Sequence, residues 1–237
     1  MTVAPAVPAV RTAFPAFLRL IVFGRVIPAT FFSLLAYLQF QRLATEVHRL
    51  PDPVTVVAVL NRPLPGALYL LFCAIPVVIY VARPAPRARD GRMLPRVAAL
   101  AGTVMLLVVG VLPQGVSLYV PPSWLGAVST VLSIVAFALA VYGLLYLRRS
   151  LSLIPEARRL VTGGPYRIVR HPLYAAEIMA AFAFVVVSPG ALAVAALAPF
   201  IATQLLRSRF EERLLTRTYP QYSEYARHTR RLIPLVW

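Results

Sequence analysis

Acidic residues are scarce in this chain, and their placement is the first pointer to chemistry. There are eight Asp and Glu against 24 basic residues, all of them Arg. Four of the eight acids, Glu177, Glu211, Glu212 and Glu224, fall in the C-terminal part. Glu177 sits about one and a half turns into an apolar stretch that begins at Pro172. A carboxylate there is costly unless it is paired or hydrated, so it is a functional candidate by default. A salt bridge to Arg170 or Arg209 at the helix end is the plainer reading, and both can hold together. Just upstream runs Gly163-Gly164-Pro165-Tyr166-Arg167-Ile168-Val169-Arg170-His171-Pro172-Leu173-Tyr174. The glycines permit a tight turn, and Pro172 suits a first helical turn. Helix N-terminal amides beside Arg170 suit a carboxylate or other anion. His171 and Tyr174 are three apart and share a helix face, where they can line an adenine or ribose pocket. A second charged set, Arg207-Ser208-Arg209-Phe210-Glu211-Glu212, ends the apolar sequence that follows. It reads either as part of a site or as charges that merely end a membrane span.

These residues need elements to hold them, and the sequence supplies membrane helices. Hydrophobic residues make up 59% and charged ones 14%, with a mean hydropathy of +0.75. Soluble domains are nearer half apolar and a quarter charged. A membrane helix needs about 20 mainly apolar residues. Stretches 23–41 and 64–82 qualify. The uncharged stretch 97–147 is too long for one helix, and Pro113-Gln114-Gly115 and Pro121-Pro122-Ser123 divide it into spans 97–112 and 124–147. Residues 172–187 and 190–206, joined at Ser188-Pro189-Gly190, read as a tight helical hairpin with two rather short arms. The expectation is an all-α, polytopic transmembrane helical bundle of about six spans, with interfacial helices. Residues 1–149 carry about four spans, and residues 150–237 form a C-terminal catalytic part with hairpin 172–206 and a tail. The hairpin brings the Arg207 to Glu212 set back beside Arg170 and His171. Tyr219, Tyr222 and Tyr225, with Arg227 to Arg231, read mainly as an amphipathic tail on anionic lipid.

The net charge of +16 does not indicate nucleic-acid binding, because the arginines are scattered between apolar runs rather than gathered in a basic domain. They follow the positive-inside rule instead. With both termini placed in the cytoplasm, 21 of the 24 arginines fall on that side, as suits a bacterial inner-membrane protein. One cysteine, Cys73, excludes an internal disulfide and paired-cysteine metal sites, and no metal is expected. The opening residues, rich in Pro and Ala, are not patterned like a cleavable signal peptide. The chain's last residues, Pro234-Leu235-Val236-Trp237, carry no prenylation box.

The stretch Leu160-Val161-Thr162-Gly163-Gly164-Pro165-Tyr166, with Arg170-His171-Pro172-Leu173-Tyr174, resembles the signature of the isoprenylcysteine carboxyl methyltransferases and the related membrane phospholipid methyltransferases. The resemblance continues through Arg207 to Glu212 and on through Tyr222-Ser223-Glu224-Tyr225 to Ile233-Pro234, about a third of the chain. It implies a helical membrane bundle that uses S-adenosylmethionine. It places Tyr166, His171, Pro172 and Tyr174 in the cofactor-binding element, with Glu211 and Glu212 as the acidic pair that closes it. It ties Arg170 and Arg209 to activity, by placing the acceptor. Glu177 or His171 would serve as base for a phenol or amine acceptor, whereas a carboxylate acceptor needs no strong base. The implied acceptor is lipophilic, prenylated or a small lipid, and reaches the site sideways from the bilayer. Two other readings stay open. A sterol-type membrane reductase would bind NADPH instead. A transporter or scaffold would need polar residues along a midplane path, which the first four spans barely offer.

Overall fold

The structure is a computed structural model; it describes residues 21–234 except 62, 85, 111–114 and 153–155. The opening residues and the last three, on which the signal-peptide and prenylation expectations rest, lie outside the described residues, as do Arg11 and Arg19. The elements are helix α1 (Ile27–His48, entered through one π-helical turn, Val22–Val26), α2 (Val56–Asn61), α3 (Pro63–Ala82), α4 (Met93–Gly110), α5 (Ser123–Leu147), α6 (Pro172–Val187), α7 (Ala191–Thr218) and α8 (Tyr222–His228). Two short strands, β1 (Ala88–Arg89) and β2 (Glu156–Ala157), pair antiparallel.

Among the described residues, four helical segments are long and apolar enough to cross a membrane: Val22–His48, Val56–Ala82, Ser123–Ser150 and Ala191–Thr218. Two shorter apolar helices, Met93–Met105 and Pro172–Val187, accompany them. The all-α membrane bundle is therefore as expected, with six apolar helices of which four are of full spanning length. The 16 residues of α6 reach only about 24 Å, against a hydrocarbon core of about 30 Å.

Two helices run further than the hydropathy indicates. Helix α1 continues past residue 41 to His48. Helix α7 continues three turns past residue 206 to Thr218, because Leu, Arg and Glu are strong helix formers and no Gly or Pro intervenes. This extension carries Arg207, Glu211 and Glu212 on a rigid rod that also forms the hairpin arm.

Small residues set the packing. Helix α5 lies along α6, α1 along α3, and α4 along α7. Ala136, Ala140 and Gly143 of α5 are buried, and a Cβ added at Gly143 would come within 3.3 Å of Leu173 on α6. In lipid there is no water to drive helices together, so such close approaches supply much of the association. Phe72, Cys73, Ala140, Leu144 and Ala176 form the core shared by α3, α5 and α6. Cys73 is fully buried there. A second core, including Ala181, Ala193 and Phe200, fixes the hairpin arms to each other.

Candidate functional site

The segment leading into α6 is shaped by one glycine. Gly164 has φ +59°, and a Cβ there would lie 2.6 Å from the Tyr146 ring, so only glycine fits. The following 3-10 turn, Gly164–Arg167, buries Tyr166. The Tyr225 hydroxyl donates to the Tyr166 carbonyl at 2.6 Å. Burial, reinforced by the Glu211 carboxylate, pushes the Tyr166 phenol well above its usual range, so it stays neutral. Downstream, the amides of Arg170 and His171 donate to the carbonyls of Arg230 and Arg231 at 2.7 and 3.0 Å. The C-terminal tail is thereby strapped beside the chain where it enters α6. Pro172 opens that helix.

Glu212 on α7 ties three parts of this frame together. Arg170 donates from Nε to Glu212 Oε1 at 2.8 Å. Arg231 donates from Nη2 to Oε2 at 2.6 Å and from Nε to Oε1 at 3.1 Å. His171 Nε2 lies 3.1 Å from Oε1. Arg170 also donates to the carbonyls of Ala226 at 2.7 Å and Thr229 at 2.5 Å. Charge-assisted contacts of this density are the strong kind.

Glu211, one residue earlier, turns to a different place. Its Oε2 accepts from the Tyr174 hydroxyl at 3.0 Å and lies 3.8 Å from His171 Nδ1. His171 and Tyr174 are stacked, with centroids 5.4 Å apart and planes 17° apart. The Arg207 guanidinium lies over the other ring partner, 4.9 Å from the Tyr174 centroid. Arg207 Nη1 donates to Gln204 Oε1 at 2.8 Å, and Gln204 Nε2 donates to Glu177 Oε2. Arg207 also stands 4.0 Å from the same Glu177 oxygen. His171, Tyr174, Glu177, Arg207 and Glu211 line a cavity of about 90 Å³ at the arginine-rich end of the bundle, together with Tyr166, Arg170 and Glu156. Gly102 of α4 makes room for Arg207: a Cβ there would lie 3.0 Å from its Nη1.

Tyr166, Arg170, His171, Tyr174, Glu177 and Glu211 thus meet at one cavity. Glu212 stands behind it, holding Arg170 and His171. Pro172 contributes the helix start. Arg209 stands elsewhere: it is exposed and borders a separate open groove with Glu212, Arg213 and Arg231. The arginine that pairs with Glu177 is Arg207, not Arg170 or Arg209. Helical spacing carries that signal, since Gln204, Arg207 and Glu211 are three and four apart on one face. Arg231, which the sequence assigns to a lipid-facing tail, is instead bound to Glu212. No local pattern foretells that contact, 19 residues apart.

Glu156 was also missed. Its side chain is 1% exposed and meets Arg158 at 2.6 Å, Arg89 at 2.7 Å and Arg83 at 3.8 Å. Among the described residues no group of three or more His, Cys, Asp or Glu is placed to hold a metal ion.

The comparisons with known proteins bear on this same region. Residues 122–222 match the phospholipid methyltransferase family. The match takes in α5, α6, α7 and every cavity residue from Tyr166 to Glu211 named above, and it supports a membrane methyltransferase. CzcN, a cobalt-zinc-cadmium resistance protein of Cupriavidus metallidurans, is 29% identical over 113 residues, 47% of this chain and 52% of the relative. NccN, a nickel-cobalt-cadmium resistance protein of Alcaligenes xylosoxydans xylosoxydans, is 29% identical over 115 residues, 47% of this chain and 53% of the relative. The chain spans about half the length of the curated relatives it matches.

Proposed function

We propose that this chain is an integral membrane methyltransferase that uses S-adenosylmethionine and acts on a lipophilic acceptor. The observation that carries the reading is the stacked His171–Tyr174 pair, facing a cavity that also holds Glu211 and Arg207, within the stretch that matches the phospholipid methyltransferase family.

The donor set suits that cofactor. Aromatic faces at Tyr166, His171 and Tyr174 take a purine. Glu211 is 35% exposed at its side chain and offers a carboxylate to ribose hydroxyls or an ammonium. Arg207 lies over the Tyr174 ring and puts a buried positive charge at the cavity wall. When bound, S-adenosylmethionine supplies a methyl group already activated on a sulfonium. The protein then has to align the acceptor and exclude water. Glu212 holds Arg170, Arg231 and His171 in place, and Pro172 fixes the helix that carries Tyr174 and Glu177. Arg170 acts by positioning, since its Nε and Nη1 are both engaged. Arg209, at the rim of the outer groove, is left to meet a charged part of a ligand from the cytoplasm. Pockets for ligands of this size usually measure about 300–1,000 Å³, so binding requires the cavity of about 90 Å³ to widen.

The positive-inside rule supports a cytoplasmic site, with both termini on that side. Calorimetric titration of S-adenosylmethionine into the detergent-purified protein tests the reading, with His171→Ala and Glu211→Ala alongside. Micromolar binding by the wild type, weakened at least tenfold in both variants, is the expected outcome. A folded wild type that binds NADPH and not S-adenosylmethionine would overturn it in favour of a reductase.

A further inference from the structure

A second cavity, of about 210 Å³, adjoins the first and shares two wall residues with it, Phe72 and Glu177. Its other walls are mainly apolar, including Tyr69, Phe137, Ala180 and Phe184. The rings of Tyr69 and Phe137 are 5.0 Å apart, and those of Tyr69 and Phe72 are 6.1 Å apart. Helix α6 runs from Pro172 at the arginine-rich end towards Val187, so Glu177 marks the inner end of this cavity and Phe184 a deeper level. Gln39 and Arg42, on the far part of α1, border its other end.

Among the described residues, the one carboxylate lining the second cavity therefore stands at its junction with the first. Both contacts of Glu177, from Gln204 and Arg207, fall on Oε2. The acid is thus charge-paired, but through one oxygen only. A paired Glu177–Arg207 seat disfavours either sign of net charge on a ligand: an ammonium meets Arg207, and a carboxylate meets Glu177 with Glu211 beyond Tyr174. A neutral O–H suits it, because it donates to Glu177 Oε1 without bringing a charge. An aromatic ring next to that O–H suits the aromatic walls.

Resting on the methyltransferase reading, we propose that the second cavity holds the apolar chain of a phenolic lipid, with its hydroxyl at Glu177. In the reaction an oxygen lone pair forms the new C–O bond as the C–S bond breaks towards sulfur. The O–H bond breaks with its pair left on oxygen, and the proton passes to Glu177 Oε1. Glu177 is the base, and Arg207 with Gln204 positions it.

The test is binding without cofactor. 4-Nonylphenol, nonylamine and nonanoate are titrated in turn into the purified protein in nanodiscs, and S-adenosylmethionine is titrated separately. Nonylphenol is expected to bind at least tenfold more tightly than the amine or the acid. Ala180→Trp, which fills the second cavity, is expected to weaken nonylphenol at least tenfold and to leave S-adenosylmethionine affinity within twofold. Retained cofactor binding certifies the fold of that variant, and Ala180→Leu serves in its place where Trp prevents folding. In Glu177→Gln the bound phenol is expected to remain, and its ionisation, read by ultraviolet absorbance, to move to lower pH than in the wild type, because the neutral amide no longer repels the phenolate. Equal binding of the three probes, or indifference to Ala180 substitution, overturns the inference and leaves methyl transfer standing. Phenol binding that depends on Ala180, in a protein that ignores S-adenosylmethionine, sinks the methyl-transfer reading instead.

Discussion

Glu156 and Glu212 are each surrounded by three cationic or titratable side chains, yet the two knots are built for different ends. Glu156 borders the cavity, but its partners tie it to loops. Its partner Arg83 also donates to the Leu151 carbonyl at 3.0 Å, Arg158 donates to the Pro84 carbonyl, and Arg89 faces it across the β1–β2 pair. Arg83 and Arg158 both end on backbone, so the knot pins the loop after α3 to the loop after α5. Glu212 opens outward. Its partner His171 stacks on Tyr174 at the cavity, and its partner Arg231 is 21% exposed on a terminal tail. One carboxylate clamps two loops at the cavity wall; the other holds the C-terminal tail against the site from behind. Counting ion pairs would not separate them; following each partner one contact further does.

Removing the clamp should have the largest effect. Glu156→Ala leaves Arg83 and Arg158, each 3% exposed, as buried charges without their acid. The expected loss is about 3–5 kcal/mol of stability, seen as a lowered thermal midpoint in detergent. Glu212→Ala strands cations that water can reach, so it should cost about 2 kcal/mol and chiefly weaken S-adenosylmethionine binding. Equal destabilisation by the two variants would break the distinction.

Much of this was legible in the sequence, and the exceptions share a cause. The membrane bundle follows from hydropathy alone, and the hairpin from Ser188-Pro189-Gly190. The meeting of Tyr166, His171 and Tyr174 with Glu211 follows once that hairpin closes. Glu156 was not legible, because its partners come from Arg83, Arg89 and Arg158, two of them more than 60 residues away in a loop. Arg231 was not legible for the same reason. The pairing of Glu177 with Arg207 rather than Arg209 needs the helical phase of α7, which runs unbroken through the apparent end of the span. What the sequence conceals here is long-range polar contact in loops; periodicity reveals helices and faces.

An intermediate effect should come from outside the matched region. Gly102 lies on α4, beyond the stretch that matches the family, but its missing side chain is the space Arg207 occupies. Gly102→Leu should cost about 1–3 kcal/mol as overpacking. It should also reduce cofactor affinity, because Arg207 loses its place against Tyr174. Loss of stability with unchanged affinity would show that Arg207 serves the bundle rather than the site. Tyr174→Phe is gentler: it keeps the ring on His171 and removes only the hydrogen bond to Glu211. About 1 kcal/mol of binding, or roughly fivefold in S-adenosylmethionine affinity, is expected, with little change in the thermal midpoint.

The smallest effect is expected at Arg209, and it sharpens the comparison most. Arg207 and Arg209 lie two residues apart on one helix, so about 200° of rotation separates them. Arg207 is 7% exposed and engaged with Gln204, Glu177 and Tyr174, while Arg209 is exposed beside Arg213. Surface substitutions away from special contacts stay within about 0.5 kcal/mol, so Arg209→Ala should leave the thermal midpoint almost unchanged. If Arg209 meets a ligand only at the outer groove, its loss should raise KM for one substrate and leave kcat alone. A fall in kcat at constant KM would mean that Arg209 bears on the reacting groups from the opposite face of α7, and not only on ligand capture.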